Sequence, residues 1–280
     1  MRYLALATDY DGTIATHGVV DDATLAALER LRASGRKLLL VTGRELEDLR
    51  GVFSHWDLFD WIVAENGALL LRPSNQEKII LAEPPSRQFV EELQRRGVAP
   101  MSVGDCIVAT WHPHETTVLE TIRDLGLELQ VIFNKDAVMV LPSNVNKATG
   151  LTAALDRMGL SPHDVVGVGD AENDHAFLSL CECGAAVDNA LPAVKDRADL
   201  VLAKDHGAGV RILIDRLLAD DLKELEGNVA RHQLTVGKRR DGGDFQIKPY
   251  DNNLLIAGPS GSGKSTVATA LLERLVEHRY

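Results

Sequence analysis

The chain has 280 residues, 45% of them hydrophobic and 25% charged, with a formal net charge of −11. That size suits two or three domains of a soluble globular protein. The acidic balance argues against nucleic acid or an anionic membrane as partner for the whole surface, yet leaves room for a locally positive pocket that takes an anion.

The first element is an apolar run, Leu4–Thr8, that ends at Asp9; Asp9 and Asp11 break it, so it reads as a buried strand rather than a signal peptide. A helix carrying Leu25, Leu28 and Leu31 follows, with Asp21 or Asp22 as its cap and Gly35 as its stop. Lys37–Val41 is a second strand, ending at Thr42-Gly43-Arg44. Another helical stretch precedes a third strand, Trp61–Ala64. This strand–helix rhythm predicts an α/β fold with a Rossmann-like parallel sheet.

The pattern changes between 68 and 142. Leu69–Leu71 and Lys78–Leu81 flank a turn, Arg87–Arg96 is helical, Cys106–Trp111 a strand and Glu115–Leu125 a helix. Leu129–Phe133 and Ala137–Leu141 form a hairpin about Asn134-Lys135-Asp136. Strand pairs with helices on one side predict an inserted α+β module. Trp111 is expected in its core more than in a cavity wall, and His112 and His114 in a structural loop role.

The βα rhythm resumes with a helix over Ala148–Met158, a strand Val165–Val168 and a helical stretch Glu172–Leu180. Ala185–Val187 and Leu200–Leu202 are short strands, and Val210–Leu218 closes the domain. Beyond a charged stretch, Gln233–Val236 and Phe245–Ile247 predict a hairpin, and Leu254–Ala257 a strand feeding a glycine-rich loop and a last helix. No run reaches the roughly 18–20 apolar residues of a membrane span. Cys106, Cys181 and Cys183 form an odd, sparse set that suits reduced, buried thiols in a cytoplasmic protein better than disulfides or a metal pair.

Four segments far apart in sequence each follow a predicted parallel strand, where open α/β sheets place ligands. They are Asp9-Tyr10-Asp11-Gly12-Thr13, Thr42-Gly43-Arg44, Lys147, and Gly169-Asp170-Ala171-Glu172-Asn173-Asp174. Crowding Asp9, Asp11 and Asp170 together is costly unless a cation joins them, and hard carboxylate oxygens select Mg²⁺. Lys147 and the amides and hydroxyl near Thr42 and Gly43 would hold phosphate oxygens. One carboxylate could then attack phosphorus while a second, two residues on, moves the proton.

In these motifs, in their order and in the insert between the second and third, the chain resembles the haloacid dehalogenase-like phosphatases, in particular the Cof-like branch with a C2 cap; Glu65-Asn66-Gly67-Ala68 adds to that likeness. The resemblance covers residues 1–218. It implies Asp9 as nucleophile and metal ligand, and Asp11 as general acid/base whose backbone carbonyl also binds Mg²⁺. It implies Asp170 as the third metal ligand, with Thr42, Gly43, Lys147 and Asn173 on the phosphate. Asp174 would orient Lys147 or the metal shell, and Arg44 would support the site, with a plain surface ion pair an equal alternative for it.

Gly258-Pro259-Ser260-Gly261-Ser262-Gly263-Lys264-Ser265 fits the Walker A pattern after a strand and before a helix. It resembles the start of a P-loop ATPase, which implies ATP or GTP bound by Gly258, Gly261, Gly263, Lys264, Ser265 and Thr266. A complete ATPase needs more strands and a further carboxylate than residues 228–280 supply. The expectation is therefore a piece of a longer protein, or a loop completed by a partner.

The expected organisation is a core over 1–67 and 143–219, a cap over 68–142, and a linker with an incomplete P-loop segment over 220–280. The expected function is Mg²⁺-dependent hydrolysis of a small phosphorylated metabolite, a sugar phosphate before others, through an aspartyl phosphate. Two alternatives stand beside it: a sensor domain of a longer ATPase or kinase, and phosphotransfer to an acceptor other than water.

Overall fold

The structure is a computed structural model that describes residues 1–134, 136–225, 233–247, 249 and 254–280. In chain order the elements are β1 (Ala5–Thr8), α1 (Asp22–Ala33), β2 (Lys37–Val41), α2 (Leu46–Val52), β3 (Trp61–Ala64), β4 (Leu69–Arg72) and β5 (Glu77–Ile80). Next come α3 (Arg87–Arg95), β6 (Met101–Val103), β7 (Val108–Trp111), α4 (Glu115–Asp124), β8 (Leu129–Asn134) and β9 (Ala137–Pro142). Then follow α5 (Lys147–Met158), β10 (Val165–Gly169), α6 (His175–Leu180), β11 (Cys183–Ala186), α7 (Pro192–Lys195), β12 (Leu200–Val201) and α8 (His206–Asp220). The last are β13 (Leu234–Lys238), β14 (Asp244–Ile247) and α9 (Lys264–Glu277).

Eight strands form one sheet in the order β12-β11-β10-β1-β2-β3-β4-β5. From β12 to β3 every pairing is parallel; β3–β4 and β4–β5 are antiparallel. β1 is central, with Ala5 opposite both Val165 and Lys37, and all four of its residues are buried. A strand buried on both faces needs an unbroken apolar run, which is why Leu4–Thr8 shows no alternation. The chain leaves β1 toward β2 on one side and later fills β10 and β11 on the other. Right-handed crossovers then place the connecting helices on opposite faces, and β1 and β10 flank the point where the order reverses. Asp21 caps α1 by accepting the Thr24 N–H, as its position before the apolar-periodic stretch requires.

A second sheet, β6-β7-β9-β8, is antiparallel throughout. One of its faces buries Val108, Val138 and Val140 against Phe89, Leu93 and Val118 of α3 and α4. The expected hairpin of 69–81 does not belong to this unit. It extends the main sheet, because Leu69–Leu71 pair with Ile62–Ala64 of β3 and bury there. Of the tip of the β8–β9 hairpin, Lys135 lies outside the described residues.

The C-terminal part departs from expectation at one strand. Residues 254–259 have no regular structure, so the predicted strand Leu254–Ala257 is not formed. Leu255 is exposed, and among the described residues no strand pairs with this run. An apolar run becomes a strand only where a neighbour takes up its backbone N–H and C=O groups. The helix after the loop is present as α9, with none of its residues buried. Its end meets the first sheet's domain, where Tyr280 stacks on His163 at 3.7 Å and Arg279 pairs with Asp156. No helix among the described residues is long and apolar enough to cross a membrane. Cys106, Cys181 and Cys183 are all buried as thiols.

Candidate active site

Asp9 follows the last residue of β1, Thr42 that of β2 and Asp170 that of β10, so three neighbouring strands deliver their next residue to one edge of the sheet. Lys147 is the first residue of α5, whose start is fixed by Asn146 accepting the N–H groups of Ala148 and Thr149. These four elements converge on a buried charge cluster.

Lys147 is only 2% exposed. Its Nζ donates to Asp9 Oδ1 and to Asp174 Oδ1, each at 2.5 Å. The other oxygen of Asp174 accepts the backbone N–H groups of Asp170 and Ala171 at 2.8 and 2.9 Å. Asp174 thus uses both oxygens to hold Lys147 and the turn carrying Asp170. Burial alone would lower the Lys147 ammonium, but Asp174 and Asp9 outweigh it and keep it charged.

Asp9, Asp170 and Asp174 bring carboxylate oxygens within 4.8 Å of one another, all in buried residues. Burial pushes Asp9 well above the usual carboxylate range, Asp174 and Asp170 push it further, and Lys147 only partly offsets them. This charge deficit is what a divalent cation relieves. The donors are hard oxygens, which suit Mg²⁺. Asn173 Oδ1, buried and without a hydrogen-bond partner among the described residues, supplies a further acceptor beside them. The residues present therefore fit the ion. Gly12 makes the approach possible: its φ is +87°, and a Cβ there would stand 2.3 Å from Asp170 Oδ2.

Asp11 is held apart from this cluster by Arg44, which donates Nε–H to Asp11 Oδ2 at 2.6 Å and Nη2–H to Oδ1 at 2.7 Å. Arg44 Nη1 also donates to Asp48 at 2.5 Å, and the guanidinium lies 5.5 Å from the Tyr10 ring. Tyr10 is itself fixed by donating its hydroxyl hydrogen to Gly18 O. Thr42 Oγ1 accepts the Arg44 N–H at 3.1 Å. Gly43 lines the cavity described next.

A cavity of about 230 Å³ lies between the strand ends and the second sheet, with Asp9, Asp11, Gly43, Arg44 and Asn173 in its wall. Trp111 is in that wall too, 40% exposed, and not in the module's core as expected. The reason is the period of the strand. Val108 and Thr110 turn into the core of the second unit, so Ala109 and Trp111 face the opening.

Glu65 and Asn66 carry no assigned role in the sequence reading, yet they join the two units. Glu65 is buried and accepts the backbone N–H groups of Asp105, Cys106 and Ile107 at 3.0, 2.7 and 3.1 Å. Asn66 accepts from Asn173 Nδ2 at 2.9 Å, and its own amide donates to Met139 Sδ at 2.8 Å. Both have φ near +50°. A buried acidic residue followed by Asn-Gly at a strand end was the available signal.

The glycine-rich loop is placed elsewhere. Lys264 Nζ donates to Pro259 O at 2.7 Å, within the loop itself. Gly258, Gly261, Gly263, Ser265 and Thr266 stand at an exposed turn and helix start with no parallel sheet behind them among the described residues.

A doubly wound sheet with a buried acid–lysine cluster at its switch point, covered by an inserted α+β unit, defines a hydrolase-type site on an α/β core. The chain belongs to the haloacid dehalogenase-like hydrolase family, which matches residues 6–96 and 106–214. It is similar to phosphoglycolate phosphatase 2 of Saccharolobus solfataricus, 26% identical over 231 residues that cover 80% of this chain and 96% of the relative. The phosphoglycolate phosphatase of Methanopyrus kandleri is 28% identical over 223 residues, 76% of this chain and 96% of that one. A solved HAD subclass IIB sugar phosphatase superposes with a TM-score of 0.62 at 19% identity, covering 76% of this chain and 98% of that one, a likeness of fold. The family match ends before the glycine-rich loop, and nothing in these comparisons supports an ATPase domain or a bound nucleotide.

Proposed function

We propose that this chain is a Mg²⁺-dependent phosphatase of small phosphorylated metabolites, a sugar phosphate before others, acting through an aspartyl phosphate. The observation that carries this reading is the Asp9–Lys147–Asp174 chain of hydrogen bonds beside Asp170 at the switch point of the sheet. The names of the two curated relatives above, both phosphoglycolate phosphatases, support its phosphatase part.

In this reading Asp9, Asp170 and the backbone carbonyl of Asp11 would hold Mg²⁺, which would supply charge neutralisation for the phosphate oxygens. Lys147, Thr42, Gly43 and Asn173 hold the phosphoryl group. An Asp9 oxygen attacks phosphorus, the bond from phosphorus to the ester oxygen breaks, and Asp11 gives its proton to the departing alkoxide. Asp11, now a carboxylate, takes a proton from the water that attacks the aspartyl phosphate. Inorganic phosphate leaves, and Asp9 and Asp11 return to their starting forms. The core comprises 1–67 and 143–219, extended by β4 and β5. The cap comprises the rest of the insert and shields the intermediate from bulk water.

The test is phosphate release from a panel of sugar phosphates and 2-phosphoglycolate with Mg²⁺. Activity that Asp9→Asn removes supports the reading; equal activity in that variant contradicts it.

A further inference from the structure

The cavity wall opposite Asp9 is built by strand register. Ser102 stands opposite Ala109, Ala109 opposite Met139, and Trp111 opposite Ala137. All five line the cavity, while the intervening Val108, Val138 and Val140 pack into the cap's own core. Among the described residues the wall is thus apolar apart from one hydroxyl, and its largest group is an indole left 40% exposed. Exposed aromatic surface inside a concave site marks a ligand contact.

The remaining side of the cavity is acidic. Asp11, Glu45 and Asp48 line it, and Arg44 is the one cation among the described lining residues. That guanidinium already donates to Asp11 twice and to Asp48 once. A carboxylate on the leaving group would meet the carboxylates of Glu45 and Asp48 and a cation already engaged. An uncharged polyol would instead donate its hydroxyls to those same acceptors and lay its C–H face on Trp111.

Resting on the phosphatase reading, we infer that the cap face binds an uncharged, hydroxylated leaving group through Trp111 and rejects phosphate esters that carry a carboxylate. The specificity lies in Trp111 and in the acidic rim of Glu45 and Asp48, not in the phosphate site.

The experiment compares kcat/KM of the full chain with Mg²⁺ on glucose 6-phosphate, erythrose 4-phosphate, 2-phosphoglycolate and acetyl phosphate, the last having little to offer the cap. The better of the two sugar phosphates is expected to exceed 2-phosphoglycolate by at least about tenfold. Trp111→Ala is expected to lower the ratio of that sugar phosphate to acetyl phosphate by about tenfold, through KM. Ser102→Arg, which adds a cation to the apolar wall, is expected to narrow the gap to 2-phosphoglycolate. A wild-type preference for 2-phosphoglycolate, or an unchanged ratio in Trp111→Ala, overturns the inference while Asp9-dependent turnover of any of these esters leaves the phosphatase reading standing. If even acetyl phosphate is inert, the phosphatase reading falls and this inference with it.

Discussion

Arg44 grips Asp11 by two parallel hydrogen bonds of 2.6 and 2.7 Å, so the carboxylate proposed to move the proton is tied to a guanidinium on the next strand's loop. The pair stands in the wall of the substrate cavity and not in the buried cluster. Bidentate geometry fixes the Asp11 orientation. Two residues that act as one unit give non-additive effects on rate. Asp11→Asn is expected to lower kcat by about 10²–10⁴-fold. Arg44→Ala is expected to lower it less, and to add almost nothing once Asp11 is Asn. A double-mutant cycle on kcat/KM measures this; independent, additive losses would separate Arg44 from the proton transfer.

Lys147 bridges two buried carboxylates, and breaking a buried ion pair on one side leaves uncompensated charge. Lys147→Met is therefore expected to cost about 3–5 kcal/mol of stability in metal-free buffer. Urea unfolding followed by circular dichroism checks it. A loss within the range of surface ion pairs, about 1 kcal/mol or less, would contradict the buried bridge.

The same cluster predisposes the fold to gain from a cation. Mg²⁺ at about 100 times its dissociation constant is expected to stabilise the protein by about 2.7 kcal/mol. Thermal unfolding with and without the ion reads the gain, which Asp170→Asn is expected to abolish. An equal gain in that variant would move the ion elsewhere.

Glu65 gives a pH signature of the joint between core and cap. Burial pushes its carboxyl above the usual range, against the pull of the Cys106 and Asp105 N–H groups. The folded state then keeps the proton to higher pH than the unfolded chain does. The Glu65 contribution is fully present below the ordinary carboxylate pKa and is lost as pH rises through the folded value. The stability difference between wild type and Glu65→Gln, from urea unfolding across that window, is expected to favour wild type most at the acid end. At neutral pH the variant keeps one amide oxygen as acceptor but replaces the other with an NH₂ donor, so at least one of the three backbone N–H groups loses its partner, a cost of about 1–3 kcal/mol. A difference that grows with pH would reverse the sign argued here.

Much of the core was legible because its chemistry sits where apolar runs stop. Asp9, Thr42 and Asp170 each follow a run that could only be a buried strand, and the strands proved adjacent. What stayed hidden depended on contacts across distance or on choice of face. The Glu65 carboxylate finds its partners about forty residues away. Trp111 sits on a strand whose two faces are both mostly apolar, so the pattern Val108-Ala109-Thr110-Trp111 did not say which face meets the cap helices. Met101–Val103 escaped notice because a three-residue edge strand carries too short a pattern. Leu254–Ala257 had the composition of a strand and no partner to make it one.

The central claim is that Asp9 accepts the phosphoryl group. Rapid acid quench of the enzyme during turnover, followed by peptide mass mapping, tests it most directly. The expected result is one phosphoryl group on the peptide that holds Asp9, removed by hydroxylamine as an acyl phosphate is, and absent in Asp9→Asn. A phosphoryl group on another residue, or steady turnover with none on Asp9 and full activity in Asp9→Asn, would contradict the account.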